Sequence, residues 1–119
     1  MSHDWRLYLD DIAECAGRVI EYTRGMSYDE FIQDPRTCDA TLRNLEIIGE
    51  AAKRVPADAQ QRYPQVPWRE ISRFRDRLAH GYRTLDYTLI WATIQQDVEP
   101  LLREVKGILA IEDHPPGAR

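Results

Sequence analysis

The chain has 119 residues, of which 43% are hydrophobic and 30% charged. This length and composition suit one globular domain and exclude an intrinsically disordered chain. The formal charge of −4 excludes a general coat for nucleic acid, because such binding depends on many positive contacts. Without a long apolar run or a secretory signal pattern, we expect a cytoplasmic protein that has no membrane contact.

Apolar residues recur with the 3.6-residue period of an α-helix along most of the chain. In the N-terminal part this period predicts a helix over about residues 4–24 that ends at Gly25. Ser27 and Glu30 have the spacing of a capping box, which favours a short second helix directly after them.

In the middle of the chain, Asp34-Pro35 is typical of a helix cap followed by a first-turn proline. The helix that starts there is predicted to reach about Arg54. Gly49 lies inside it, where the missing side chain would allow a neighbouring helix to approach closely. Residues 57–67 contain two prolines and favour a short turn of helix followed by an extended connector.

The C-terminal part predicts two further helices. One opens near Trp68 and weakens around His80-Gly81. The other begins after Leu85, with Asp86 as its predicted cap. Pro100 lies within the last helix and removes one backbone donor, so we expect a bend or a restart there.

These elements define the predicted fold class, an all-α bundle of four main helices plus one or two short helices. We expect a single helical domain over residues 1–111 and a flexible tail over residues 112–119. Cys15 and Cys38 fall inside apolar helical patterns and are predicted to be small buried hydrophobic residues. The cysteines and histidines do not have the spacing of a zinc site, so neither a metal site nor a cofactor is indicated.

Positive charge is concentrated in residues 68–86, where five arginines stand against three acidic residues. Within this segment Arg75, His80 and Tyr82 form an R-x4-H-x-Y arrangement. The guanidinium suits phosphate oxygens, and an imidazole, with an unperturbed pKa of about 6.5, exchanges a proton near neutrality. An ideal helix rotates His80 by about 140° from Arg75. The two groups would converge only if the helix ended near Gly81 or if a dimer supplied a second copy of the segment.

A purely structural interpretation competes with this one. Arginines on helices commonly form exposed ion pairs, and a histidine before a glycine often lies at a helix C-terminus. The spacing alone favours this interpretation. Glu46 and Glu50 would share a helix face, either as a catalytic carboxylate pair or as solvated partners of Arg43 or Lys53, and the second alternative is favoured.

Three separate segments nevertheless resemble one known family. They are LEIIGEAAKRV at 45–55, YPQVPWREI at 63–71 and RDRLAHGY at 75–82. Their order and spacing are similar to those of the HepT family in the HEPN superfamily, over roughly residues 5–110. A match of three ordered segments is far more specific than the R-x4-H string alone.

The resemblance implies a HEPN-type bundle and a metal-independent endoribonuclease that cleaves RNA, such as tRNA or mRNA, through attack of the 2′-hydroxyl. It further implies a homodimer that acts as the toxin of a type VII toxin–antitoxin module. The partner would be a MntA-type nucleotidyltransferase antitoxin. An alternative is a non-catalytic helical binding module that partners a minimal nucleotidyltransferase and presents nucleotide or substrate to it.

Carried over by position, Arg75 and His80 would be the catalytic residues, and Tyr82 would be the residue that the antitoxin modifies with AMP. Asp76 departs from the asparagine or other polar residue that relatives often carry, and its carboxylate would either order Arg75 or repel the RNA backbone. The neighbouring arginines are candidates for binding RNA phosphates: Arg73, Arg77 and Arg83.

Overall fold

The computed structural model describes residues 4–81 and 84–113, and within these ranges the chain is built from helices without a β-strand. The helices are α1 (Arg6–Thr23), α2 (Tyr28–Ile32), α3 (Pro35–Arg54), α4 (Ala57–Arg62), α5 (Trp68–His80) and α6 (Tyr87–Asp113). Four are long, and α2 and α4 are short. The predicted all-α fold class is therefore confirmed.

The helix boundaries follow the local signals that the sequence carries. Ser27 and Glu30 form the complete capping box at the start of α2. The Asp34 carboxylate accepts a hydrogen bond from the Thr37 backbone N–H at 3.1 Å and so caps α3. Gly25 follows α1 with φ at 74°, a conformation that favours glycine. These caps satisfy backbone groups that helix ends leave without partners.

The core lies where α1 packs against both α3 and α6, while α3 also packs against α5. The side chains that are most deeply buried come mainly from the long helices: Leu9, Ile12, Val19, Phe31, Thr41, Val66, Val105 and Ile108. Since α5 joins the bundle chiefly through α3, the residues of α3 set the position of α5.

Helix α6 passes through Pro100 without ending, so of the two effects expected there, a bend or a restart, the restart does not occur. Buried residues occur on both sides of the proline, with Ile94 and Val98 before it and Val105 after it. Packing against the rest of the bundle holds both halves of the helix and offsets the lost backbone hydrogen bond. The helix reaches Asp113, and most of the predicted tail, residues 114–119, lies outside the described residues.

Both cysteines are buried as predicted, and burial raises the pKa of the Cys15 and Cys38 thiols. Trp68 is also buried, and its indole N–H donates to the Tyr63 carbonyl at 3.0 Å. In the part of the chain that the structure describes, no helix combines the length and the apolar character needed to cross a bilayer.

Candidate functional site

Helix α5 carries most of the residues that the sequence singles out. It is α-helical through His80, and the Gly81 backbone N–H closes its last turn by donating to the Arg77 carbonyl at 3.0 Å. Arg77 and His80 lie in this last turn, where positive charge interacts favourably with the helix dipole. The helix therefore ends where the sequence predicted, but it stays regular over the whole interval from Arg75 to His80.

Arg75 lies on the side of α5 that faces α3. A Cβ atom added to Gly49 would stand only 2.0 Å from the Arg75 Cβ and 3.3 Å from its Cα. No residue with a side chain fits this position without moving one helix. The prediction that Gly49 permits close helix approach is confirmed, and the neighbour is the predicted catalytic arginine itself.

Two carboxylates hold the Arg75 guanidinium. Its Nη2 donates to Glu50 Oε1 at 3.2 Å, and its Nη1 donates to Asp76 Oδ1 at 3.4 Å. The hydrogen bond to Glu50 is the main reason why the pKa of Arg75 is raised above its ordinary value. The Nε–H of Arg75 is buried and has no acceptor among the described residues.

Asp76 is shared between two cations. Its Oδ1 also accepts from Lys53 Nζ at 2.5 Å, and this contact is the main cause that lowers the pKa of the Asp76 carboxyl group. The negative charge of Asp76 is thus balanced by Lys53 while it contacts Arg75. Of the two roles considered for this residue, the contacts favour ordering of Arg75 over repulsion of a phosphate backbone.

His80 is exposed and forms no side-chain hydrogen bond with another described residue. The helical spacing places it close to the face that carries Arg73 and Arg77, which are also exposed. This face combines a titratable imidazole with two permanent cations. It is open to solvent and can receive a large anionic ligand.

The structure does not bring Arg75 and His80 together on one face of a single chain. Arg75 faces α3 with 23% of its side chain exposed, whereas His80 lies about 140° further round the same helix. Of the two routes to convergence that the sequence left open, the helix does end near Gly81, but it stays regular through His80, so its end does not bring the two groups together. Tyr82 and Arg83, the proposed modification site and a candidate phosphate-binding residue, lie outside the described residues.

An apolar groove of about 520 Å³ runs between α5 and α6. Its lining includes the buried Leu45 and Ile48 of α3, together with Ile71, Phe74 and Leu101, which are only partly buried. Three carboxylates stand among the groove residues: Glu70, Asp97 and Glu104. The groove therefore has an apolar floor and an acidic border, beside the helix that carries the arginines.

The contacts between α3 and α5 were the part of the site that sequence reasoning missed. Glu46 pairs with Arg43 at 3.6 Å on its own helix, whereas Glu50 reaches across to Arg75. The two glutamates thus have different partners, of which Arg43 was predicted and Arg75 was not, and these contacts favour ion pairing over a catalytic carboxylate pair. Across residues 4–81 and 84–113, no cluster of three or more His, Cys, Asp or Glu side chains has the arrangement needed to hold a metal ion.

The fold and these groups define an all-α bundle that carries an arginine- and histidine-bearing helix at one edge. The family model described as Ribonuclease HepT-like matches residues 12–108. The chain belongs to the ribonuclease HepT-like family. The resemblance found in the three sequence segments is thereby confirmed, and with it the predicted enzyme class, a ribonuclease.

Individual relatives support the same assignment. The chain is 41% identical over 101 residues to a Thermococcus cleftensis protein named "Probable ribonuclease HepT". The match covers 85% of this chain and 92% of the relative. A Methanocaldococcus jannaschii protein with RNase in its name is 41% identical over 106 residues, covering 89% of this chain and 88% of the relative. A Caldanaerobacter subterraneus protein, also named as an RNase, is 40% identical over 107 residues, covering 90% and 96%. No solved structure matches the chain.

Proposed function

We propose that this protein is a metal-independent endoribonuclease that acts in the cytoplasm as the toxin of a type VII toxin–antitoxin module. The observation that carries the proposal is the α5 helix of a HepT-like chain, on which an exposed His80 follows, five positions later, an Arg75 that α3 holds in place. The imidazole of His80 can transfer a proton, and the guanidinium of Arg75 can stabilise negative charge. Both are needed to break a phosphodiester bond without a metal ion.

The reaction uses the nucleophile that RNA itself carries. Neutral His80 removes the proton of a 2′-hydroxyl while the oxygen attacks the adjacent phosphorus and the bond to the 5′-oxygen breaks. The leaving 5′-oxygen takes a proton, for which the protonated His80 of a second subunit is the candidate donor. The products are a 2′,3′-cyclic phosphate and a 5′-hydroxyl end.

Arg75 stabilises the extra negative charge on the phosphoryl oxygens in the transition state. A guanidinium has five N–H donors, and the contacts with Glu50 and Asp76 use only two of them. Of the other three, the Nε–H is buried, so one N–H on each terminal nitrogen is left for a phosphate group. The exposed Arg73 and Arg77, together with Arg83, extend this positive region along the substrate and would bind neighbouring RNA phosphates.

The acting form is proposed to be a homodimer. The groove between α5 and α6 exposes apolar side chains at Phe74 and Leu101, which a second copy would cover. In a two-fold dimer, the acidic border of each groove would meet the arginine-bearing face of the partner's α5. This arrangement would also bring two α5 helices together, and so would supply the convergence of Arg75 and His80 that a single chain lacks.

The proposed antitoxin is a MntA-type nucleotidyltransferase that transfers AMP from ATP to the Tyr82 hydroxyl and releases pyrophosphate. The modification would place a phosphodiester anion and an adenosine two residues after His80. Both the negative charge and the bulk would compete with an RNA phosphate for the same cations. The residue position and the local positive charge support this part of the proposal.

A specific observation favours the alternative, a non-catalytic module that docks a minimal nucleotidyltransferase and presents nucleotide or substrate to it. Arg75 is already paired with two carboxylates, and it does not share a face with His80 in one chain. A helix with this arrangement in a monomer would bind anions through Arg73 and Arg77 without cleaving them.

Incubation of the purified protein with total cellular RNA in excess EDTA tests the proposed function. We expect cleavage to proceed, because no step of the mechanism uses a metal ion. The fragments should carry 2′,3′-cyclic phosphate and 5′-hydroxyl ends, which mass spectrometry of short RNA substrates identifies. Intact RNA would contradict the enzyme and favour the binding module.

Incubation with a MntA-type enzyme and ATP tests the regulation. The wild-type protein should gain the mass of AMP and lose its activity on RNA, whereas Tyr82→Phe should gain no mass and stay active. Tyr87→Phe is the matched control, because Tyr87 begins α6 only five residues further on. Equal labelling of wild type and Tyr82→Phe would exclude Tyr82 as the acceptor.

A further inference from the structure

One face of α3 is in contact with the part of α5 that carries the proposed catalytic arginine. Gly49, Glu50 and Lys53, which we name the α3 cradle, meet Arg75 and Asp76 within a single turn of each helix. Gly49 lets the backbones approach, Glu50 contacts the guanidinium and Lys53 contacts the neighbouring carboxylate. The three residues are separated from Arg75 by more than twenty positions in sequence, so only the fold brings them together.

The charges of this contact alternate in one connected row. Glu50 binds the Nη2 of Arg75, Asp76 binds its Nη1, and Lys53 binds Asp76 in turn. Two carboxylates and two cations balance each other, so the row adds no net charge beside a bound phosphate. Asp76 lies 2.5 Å from Lys53 and 3.4 Å from Arg75. Glu50 lies 3.2 Å from Arg75 and so makes the shorter contact with the guanidinium.

The contact between Glu50 and Arg75 affects the orientation of the guanidinium more than the stability of the protein. An arginine side chain has many rotamers, and transition-state stabilisation needs donors that are already in place before the reaction. Glu50 is 39% exposed, and an ion pair at this exposure adds little to the free energy of folding. Removing it should therefore change the reaction rate more than the stability of the protein.

We propose that Glu50 is a positioning residue, which fixes the Arg75 guanidinium from across the α3–α5 contact so that its free donors face the substrate. The inference rests on the proposed function, because it assigns Glu50 a role in that reaction. Glu50 does not touch the reacting atoms and acts only through Arg75. This distinguishes it from a general base, a role that would require contact with the 2′-hydroxyl.

The test compares Glu50→Ala, Glu50→Gln and the matched control Glu46→Ala on a short RNA substrate. Glu46 lies one turn earlier on α3 and is also ion-paired, but with Arg43 on its own helix. We expect Glu50→Ala to lower kcat by about 10- to 100-fold, the size of effect that a small misplacement of a catalytic group produces. The KM and the melting temperature of Glu50→Ala should change little. Glu50→Gln should recover much of kcat, because its amide oxygen still accepts a hydrogen bond from Arg75. Glu46→Ala should behave as wild type.

A double-mutant cycle shows whether Glu50 acts through Arg75. In the Arg75→Ala background, Glu50→Ala should cause no further loss, because the group that it positions is absent. A full additional loss would overturn the proposal, as would equal kcat values for Glu50→Ala and Glu46→Ala. A lower KM at unchanged kcat would also overturn it, since it would show that Glu50 only reduces the attraction for RNA.

A measurement without RNA separates this inference from the proposed function. Rotation of the Arg75 guanidinium, followed by NMR of its ¹⁵N-labelled side chain, should be slow in wild type and in Glu46→Ala and fast in Glu50→Ala. If this difference is seen but Arg75→Ala cleaves RNA at the wild-type rate, the positioning contact stands and the catalytic role of Arg75 is wrong. If rotation is equally fast in all three proteins, Glu50 does not position the guanidinium.

Discussion

His80→Ala is expected to lower the rate of RNA cleavage by about 10²- to 10⁴-fold, the contribution typical of a positioned general base. The fold should not change, because His80 is exposed at the last position of α5 and its side chain has no hydrogen-bond partner among the described residues. The measurement is the initial rate on a defined RNA in EDTA, with circular dichroism and a thermal melt of the same preparation.

Arg69→Ala is the control for this variant, because it removes an exposed positive side chain from the same helix, far from His80. It should retain kcat within a few-fold. If His80→Ala cleaves RNA as fast as wild type, the general-base mechanism is wrong, whatever the effect of the control. A loss of cleavage together with a lower melting temperature would require a second variant, His80→Gln, which keeps a polar side chain at the helix end.

The His80→Ala variant also tests whether one active site takes its residues from two protomers. Because α5 stays regular to His80, we expect the Arg75 of one protomer to act with the His80 of its partner. When inactive Arg75→Ala and His80→Ala proteins are mixed and allowed to exchange subunits, a heterodimer regains one pair of Arg75 and His80 from different protomers. An equal mixture should recover at most about a quarter of wild-type activity, since half of the dimers are mixed and each has one of two such pairs. Recovery should fall below this value if the second His80, which the mixed dimer lacks, donates the proton to the leaving oxygen. No recovery would show that each centre takes both residues from the same protomer.

Local signals in the sequence were sufficient to predict the helices. A capping box at Ser27 and a cap and proline at Asp34-Pro35 each act within one helical turn, so they can be read without the fold. At Pro100 the sequence left two outcomes open, a bend or a restart of α6. The effect of this proline depends on packing along the rest of that helix, which no local signal reports.

The residues around Arg75 could be predicted only in part. The R-x4-H-x-Y arrangement and the opening for a neighbouring helix at Gly49 are visible in the sequence. The partner of Glu50 is not, because helical spacing offered Arg43 or Lys53 as equally reasonable alternatives, and the actual partner is 25 positions away. The role of Asp76 likewise depended on knowing that Lys53 lies across the helix contact. Long-range ion pairs carry no periodic signal, and this is why they emerge only from the structure.

Gly49→Ala is expected to lower the stability of the protein and to impair catalysis together. The added Cβ would stand 2.0 Å from the Arg75 Cβ and 2.5 Å from its Cγ, so α5 must move away from α3. Such overpacking typically costs about 1–3 kcal/mol in the free energy of unfolding. Because the displaced residue is Arg75, kcat should also fall, by about 10²-fold for a shift near 1 Å.

Gly107→Ala is the matched control for this substitution. It adds the same methyl group inside a long helix, but a Cβ at this position meets no atom within 4 Å. It should raise stability by about 0.5–1 kcal/mol, the ordinary gain from replacing glycine in a helix, and should leave kcat unchanged. Thermal unfolding and cleavage rates of both variants measure the difference. If both substitutions raised the free energy of unfolding by a similar amount, α3 and α5 would not approach each other at Arg75, because only that neighbour distinguishes the two glycines.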